Sequence, residues 1–459
     1  MKFYLGVDSM LNKAEDKRDQ YEMISVSELV PKDHLLRKVD KVLDLNFVYE
    51  LVEDKYCLDN GRPSIDPVIL VKILLIQRLF GIKSMRQTIK EIETNVAYRW
   101  YLGFSFLDKV PHYGTFSKNY TRRFHDTDLF EQIFERILQI AIKNNLIDHS
   151  TLFIDSTHIK ANANKNKYIN RVVKKDTLHF QEELNNEINQ QRLAQGKKPI
   201  KNKKKEEYKN KKVSTTDQEA GYYVKGEREK QFAYSLHSCV DKNGFIIDQH
   251  VTPGNVHDST QLKPMVERLE AKNMLPITLA VDSGYKTPFN AHYLLEKSIV
   301  PAMPYTRPKG KPGIFKSKEF IYDEYYDSYI CPNDELLTFK RTMPTGHRLY
   351  KSDPTICKTC PLLNECTENR NYTREIRRHV WQDDLGIIED LRFVDTIKKA
   401  YKLRSQTVER RFGDAKEQHG MRWTRYRGIK KVSMDTTLIC AAMNLKKLAM
   451  WLVKEPQIA

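Results

Sequence analysis

Over the first third of the chain, apolar residues recur every three or four positions, and capping residues divide them into short helices. Leu35, Leu36, Val39, Val42 and Leu43 follow Asp33, a residue suited to cap them. Asp66-Pro67 is a start signal, a capping carboxylate with proline at the first helical position, and the apolar run Val68 to Phe80 stops at Gly81. Ser84 and Gln87 have capping-box spacing around Met85, Ile89 and Ile92, and Val96, Trp100 and Leu102 carry a further helix to Gly103. Thr115-Phe116-Ser117 opens a basic segment with Lys118, Arg122 and Arg123, and an amphipathic helix runs from Asp128 to about Lys143. Residues 1–30 read as a leader and 31–147 as an all-α domain of the helix-turn-helix type.

The period then changes from helical to extended. In Thr151-Leu152-Phe153-Ile154-Asp155-Ser156-Thr157-His158-Ile159-Lys160 a buried strand is predicted, with a carboxylate in its middle. Burying that charge is costly unless a basic side chain or a divalent cation pairs with it. Pro276 to Tyr285 repeats the arrangement, an apolar strand ending at Asp282. Between them, Phe232–Val240 and Phe245–Val251 flank Asp241-Lys242-Asn243-Gly244 as a hairpin, and helices are predicted over Ser259–Lys272 and Pro288–Lys297 before a strand at Ile299–Met303. The whole is a mixed α/β sheet. His257 and Asp258 are expected to form a hydrogen-bonded loop at its edge. Residues 161–230, rich in Lys, Asn and Gln with Lys197-Lys198, Lys203-Lys204-Lys205 and Lys211-Lys212, read as a solvated helix or mobile arm inserted after the first strand.

Composition adds charge to this picture. The chain has 459 residues, enough for two to four structural units, and a formal net charge of +17, the electrostatic footprint of a nucleic-acid binder and equally of a basic soluble protein. No secretory signal and no membrane span is visible, so the expected location is the cytoplasm, at the nucleoid when DNA is bound. Seven cysteines speak against a disulfide framework. Four of them, Cys331, Cys357, Cys360 and Cys366, fall within a stretch (306–381) that lacks strong periodicity, and offer the four thiolates of a structural Zn²⁺. The simpler alternative is reduced thiols in an irregular insertion. Cys57, Cys239 and Cys440 lie far away in sequence.

A third acid is Glu409, in Tyr401-Lys402-Leu403-Arg404-Ser405-Gln406-Thr407-Val408-Glu409-Arg410-Arg411-Phe412-Gly413. Flanked by Arg404, Arg410, Arg411 and Lys416, it reads by itself as part of an ion-paired helix; three acids at element ends beside basic neighbours shift the balance toward a metal site. Asp155 on a first strand, Asp282 on a later one and Glu409 on a helix resemble the DDE-type transposases of bacterial insertion sequences. Gly254-Asn255-Val256-His257-Asp258-Ser259, Val281-Asp282-Ser283-Gly284-Tyr285 and Arg425-Tyr426-Arg427-Gly428 carry the same resemblance, and Ile65-Asp66-Pro67-Val68 through Ser117 is similar to their helical N-terminal domain.

The resemblance implies a ribonuclease-H-like catalytic core (148–305 and 382–453), an end-recognising helical domain (31–147) and a Cys-rich insertion domain. It implies catalysis by Asp155, Asp282 and Glu409 with two Mg²⁺ (or Mn²⁺) ions roughly 3.5–4 Å apart, Asp155 bridging both. It further implies DNA contacts from Tyr401, Arg404, Arg410, Lys416, Arg122 and Arg123, with Lys416 steadying a phosphate, and a homodimer when two ends are synapsed. One departure is visible. The family places an arginine one helical turn before the glutamate, whereas here Ser405 holds that place and Arg404 is five residues ahead of Glu409.

The function expected is therefore binding of terminal inverted repeats, cleavage and strand transfer. Two alternatives stand beside it: a metal-dependent nuclease that cuts without joining, and a zinc-stapled DNA-binding protein without catalysis.

Overall fold

The computed structural model describes residues 16, 18–56, 64–124, 127–174, 180–194, 196–199, 208–226, 229–307 and 311–453. Residues 1–15 and 17, most of the stretch read as a leader, lie outside the described residues, as do Cys57 and Lys203-Lys204-Lys205.

The N-terminal region is helical, and local chemistry sets its element ends. Asp66 accepts hydrogen bonds from the backbone N–H of Val68 (2.7 Å) and Ile69 (3.4 Å) to start Pro67–Leu79, and Gly103 ends Val96–Leu102 in the left-handed conformation at φ 74°. Two sequence expectations are corrected in detail. His34, not Asp33, caps Leu35–Val42, its Nδ1 accepting from the Leu36 N–H at 3.2 Å. Ser84 caps Met85–Thr94, but Gln87 turns its amide to Glu91 (2.8 Å), so only half the capping box forms.

Six strands make a mixed sheet. Glu229–Asp241 pairs antiparallel with Ile246–Pro253, with Gly221–Lys225 and with Thr151–Lys160; on its other edge Thr151–Lys160 pairs parallel with Thr278–Val281, which pairs parallel with Val300–Ala302. Short helices, including Leu262–Ala271 and Pro288–Glu296, bury one apolar face each against it. The last helix, Ile429–Leu452, is buried on nearly every side and joins the sheet to the N-terminal helices. Its Asn444 bridges the backbone of Ile246 in both directions (2.9 and 2.8 Å), and its Asp435 ion-pairs with Arg78 of Pro67–Leu79.

The Lys-rich stretch is more ordered than its composition led us to expect. Tyr168–Lys174 and Tyr208–Ser214 form a two-stranded ribbon, Gln181–Ala194 is a helix that buries Leu184 and Ile188, and Gly221–Lys225 belongs to the main sheet. Residues 311–381 are also regular. Five antiparallel strands, Ile321–Asp323, Ser328–Ile330, Leu336–Thr342, His347–Ser352 and Glu375–His379, close a small core of Phe320, Tyr329, Leu337, Tyr350 and Ile376.

Candidate active site

Strand pairing brings the first two acids together. In the parallel register Ile154 stands opposite Val281, so Asp155, in the middle of its strand, and Asp282, just past the end of the neighbouring one, stand at the same level. Beyond Asp282 the chain turns at once into the short 3₁₀ segment Ser283–Tyr285, ending that strand at the acid.

Glu409 reaches the same place from a helix. Asp395–Arg404, Ser405–Glu409 and Arg410–Gln418 follow one another without a break, and the middle segment is π-helical. A π turn takes one more residue per turn than an α turn. The extra residue counted between Arg404 and Glu409 is absorbed there, and both side chains project toward the sheet. Val408, between them, is fully buried and pins the turn.

The three acids converge on Arg404. Its Nη1 donates to Asp155 Oδ2 at 2.7 Å, its Nη2 donates to Glu409 Oε1 at 2.9 Å, and Nη2 lies 3.6 Å from Asp282 Oδ1. Arg404 is only 9% exposed, and the Tyr401 ring lies 5.8 Å from its guanidinium. Asp155 is the most buried acid of the three, and burial pushes its carboxyl up to about 6 against the opposing pull of Arg404. Asp282 and Glu409 open toward solvent, giving the cluster a dry floor and a wet mouth.

Behind Asp155 lies a polar network that sequence reasoning missed. His237, fully buried, shares a hydrogen bond through Nε2 with Thr252 Oγ1 (2.9 Å), and its Nδ1 stands 3.5 Å from the hydroxyl of buried Tyr285 and 3.8 Å from Asp258 Oδ1. Burial, with His250, His158 and Arg268 nearby, pushes His237 down to about 3. Asp258 therefore faces inward, while His257 closes the expected loop on Ser259 (2.8 Å). The available signal was a polar side chain alternating with apolar ones in a central strand.

The remaining basic candidates separate. Lys416 lines a cleft of about 850 Å³ between the N-terminal helices and the segment after Glu409, with Arg78, Lys83, Arg86, Arg422, Arg425 and Lys431 against only Glu417 and Asp435. The half-exposed Trp423 and the aromatic rings of Tyr113, Phe116 and Tyr426 share that lining. Lys160 at the end of the Asp155 strand pairs with this segment, donating from its N–H to Arg422 O (3.2 Å) and accepting from the Thr424 N–H (2.9 Å), so cleft and acids are mechanically joined. Arg410 is exposed. Arg123 is engaged elsewhere, donating to Asn119 Oδ1 at 2.6 Å with its guanidinium 3.9 Å above the Tyr56 ring, and Arg122 is exposed beside it.

The four cysteines also gather. Cys331, Cys357, Cys360 and Cys366 line one cavity of about 30 Å³ at the edge of the small five-stranded sheet. Cys331 Sγ accepts from the N–H of Asn333 and of Glu335, both at 3.4 Å. As the side chains stand, no three His, Cys, Asp or Glu groups among the described residues are arranged to hold a metal ion.

Two family models match the chain: a transposase domain (DUF772) over residues 24–122 and a transposase DDE domain over residues 330–449. The chain belongs to the DDE-type transposases of insertion sequences. The second match contains Glu409, Arg404 and the four cysteines, while Asp155 and Asp282 fall between the two matched ranges. No match is found among curated proteins or among solved structures. Among the described residues of this transposase, no helix is long and apolar enough to cross a membrane.

Proposed function

We propose that this transposase binds the terminal inverted repeats of its element, cuts the DNA at a site made of Asp155, Asp282 and Glu409, and joins the freed 3′-hydroxyl to target DNA by transesterification. The observation that carries this is the meeting of three acids, from two strands and a helix, around a single cation. That cation is the Arg404 guanidinium: Asp155 and Glu409 accept from it at 2.7 and 2.9 Å, Asp282 lies 3.6 Å from it, and carboxylate oxygens are the donors a hard divalent cation requires. Two Mg²⁺ or Mn²⁺ ions bound there would activate the attacking oxygen and stabilise the leaving one. The chain's own part is to hold the acids at one level through strand register, to keep Asp155 dry against Tyr285, and to lay DNA along the Lys416 cleft with its phosphates on the basic lining.

An antiparallel meander continued by two parallel strands supports a ribonuclease-H-like core for 148–305 and 382–453. Residues 31–147 are then the end-recognising domain, 161–230 an inserted arm, and 306–381 an insertion domain whose four thiols hold a structural Zn²⁺. A homodimer forms when two ends are synapsed.

The test uses purified protein and a labelled duplex carrying the element end. Asp155→Asn, Asp282→Asn and Glu409→Gln should each abolish cleavage in Mg²⁺ while leaving end binding largely intact. Cleavage by any one of them removes that residue from the site. A pre-cleaved end that is never inserted into a second duplex would favour the nuclease alternative, and binding with no product from the wild-type chain would favour the non-catalytic one.

A further inference from the structure

Arg404 does something that the three acids cannot do for themselves. Three carboxylates in one small space repel one another, and in a partly buried site that repulsion is poorly screened. A planar guanidinium can bridge two of them at once through separate nitrogens, a geometry that the point charge of a lysine cannot reproduce. Here Nη1 serves Asp155 and Nη2 serves Glu409, with Asp282 next to the same nitrogen. Among the described residues, no other ion pair involves any of the three acids. The π turn Ser405–Glu409 fits this arrangement, since it sets Arg404 and Glu409 side by side despite their five-residue separation.

We propose that Arg404 is the resident counter-cation of the metal-free site: it holds Asp155, Asp282 and Glu409 together, and it must leave them before a divalent ion is held there. This rests on reading the three acids as a metal site. The carboxylate oxygens that accept from Arg404 are the ones a metal would need, so guanidinium and metal compete for the same lone pairs. The site's mouth lies on the side of Asp282 and Glu409, whose side chains are 46% and 49% exposed. Arg404 thereby makes the DNA-free enzyme a weak metal binder and links loading of the site to movement of one side chain.

The experiment is a Mn²⁺ titration of the full chain without DNA, by calorimetry, on wild type, Arg404→Ala, Arg404→Lys and Asp155→Asn. Arg404→Ala should bind Mn²⁺ at least about tenfold more tightly than wild type, Arg404→Lys should fall between, and Asp155→Asn should bind more weakly than either. Thermal melts supply a readout that does not depend on catalysis. Without metal, Arg404→Ala should melt below wild type because its acids are unneutralised, and Mn²⁺ should raise its Tm by more than it raises that of wild type. Equal or weaker Mn²⁺ binding by a folded Arg404→Ala, with Asp155→Asn still impaired, overturns the role of Arg404 alone. If Asp155→Asn binds as wild type does, the metal reading fails and the role of Arg404 fails with it. Should Arg404→Ala be unfolded without metal, Arg404→Lys decides on the same criterion.

Discussion

Arg404 Nη2 donates to Glu409 Oε1 at 2.9 Å although the two residues are five apart, because the turn Ser405–Glu409 between them is π-helical. On an α-helix, residues five apart diverge by about 140° around the axis, whereas residues four apart diverge by only about 40°. The π turn thus behaves as a single inserted residue whose effect is confined to one turn. Deleting Ser405, which is exposed, should convert the turn to α-helix while leaving Glu409 and Lys416 facing as they do now. The deletion protein should therefore fold with a Tm within a few degrees of wild type and still bind Mn²⁺. Deleting Ala415, a buried residue inside the regular helix Arg410–Gln418, should rotate Lys416 by about 100° away from the cleft and weaken DNA binding. Equal damage from both deletions would contradict this account of the turn.

The basic cleft makes a separate claim about DNA. Each cation that neutralises one phosphate contributes roughly 0.9 to the slope of log affinity against log salt concentration. Lys83→Ala and Arg425→Ala lie on opposite walls of the cleft, and each should lower that slope by about one while weakening binding to any sequence. Arg123→Ala should leave the slope unchanged, since that guanidinium is held by Asn119 and stacked over Tyr56, and should instead lower the Tm. Fluorescence anisotropy of a labelled duplex over a range of NaCl concentrations measures all three.

Much of this site was legible in the residues, and what was not has physical causes. Asp155 and Asp282 stood out because each interrupts an apolar strand, and the Asp66-Pro67 and Gly103 signals gave their helix ends correctly because a cap is a local, backbone-level event. Arg404 was legible as a charge but not as the hub. Counting residues assumes 3.6 per turn, and a π turn changes the count without leaving a mark in composition. The strands of 311–381 escaped notice because their core is small, five side chains of which two are tyrosines, and its alternation is masked by the lysines and arginines between them. In the Lys-rich stretch, Leu184 and Ile188 show helical spacing, but two apolar residues are too few to outweigh so many lysines.

Buried His237 gives the enzyme an acid sensitivity whose sign is fixed by its environment. Its folded-state value is depressed to about 3, so the native state binds fewer protons than the unfolded state, where histidine titrates near about 6.5. The stability it contributes is present above that unfolded value and is lost progressively as pH falls toward the folded one. Wild type should therefore lose stability between pH 7 and pH 5, and His237→Gln, which can keep a hydrogen bond to Thr252, should lose less over the same interval. Urea unfolding at the two pH values gives the comparison. Identical losses in both proteins would show that His237 is not the group responsible.

Gly428 starts the last helix in a backbone conformation that side chains avoid, φ 87° and ψ 139°. Its N–H donates to Asp217 Oδ1 (3.2 Å), the next N–H, from Ile429, donates to Glu219 Oε2 (2.7 Å), and a Cβ added at Gly428 would meet that same Glu219 oxygen at 3.1 Å. Asp217 also accepts from the hydroxyl of buried Tyr234 at 2.8 Å, so the helix start is tied to the central hairpin of the sheet. Gly428→Ala should cost about 1–3 kcal/mol from backbone strain, visible as a Tm lowered by several degrees. Gly413→Ala, with open space around its Cβ position, should be neutral or slightly stabilising in the same assay.

The four thiols pose a question of folding rather than of catalysis. The four cysteines surround a cavity of about 30 Å³, and burial with the neighbouring thiols pushes Cys366 up to about 11, despite Arg374 beside it. The two N–H groups aimed at Cys331 Sγ would be better satisfied by a thiolate, which a bound Zn²⁺ provides. The core of the five-stranded sheet consists of only five buried side chains, Phe320, Tyr329, Leu337, Tyr350 and Ile376, so a metal staple would supply a large share of its stability. Protein grown with zinc should carry about one ion per chain by elemental analysis, a strong chelator should remove it, and near-ultraviolet circular dichroism of the tyrosines in this sheet should then diminish. Cys357→Ser and Cys366→Ser should lose the ion and lower the Tm. Cys239→Ser, in the main sheet, should keep the ion, because that thiol lies buried among other residues. Four titratable thiols in zinc-grown native protein, with no metal bound, would leave the sheet held by its own small core.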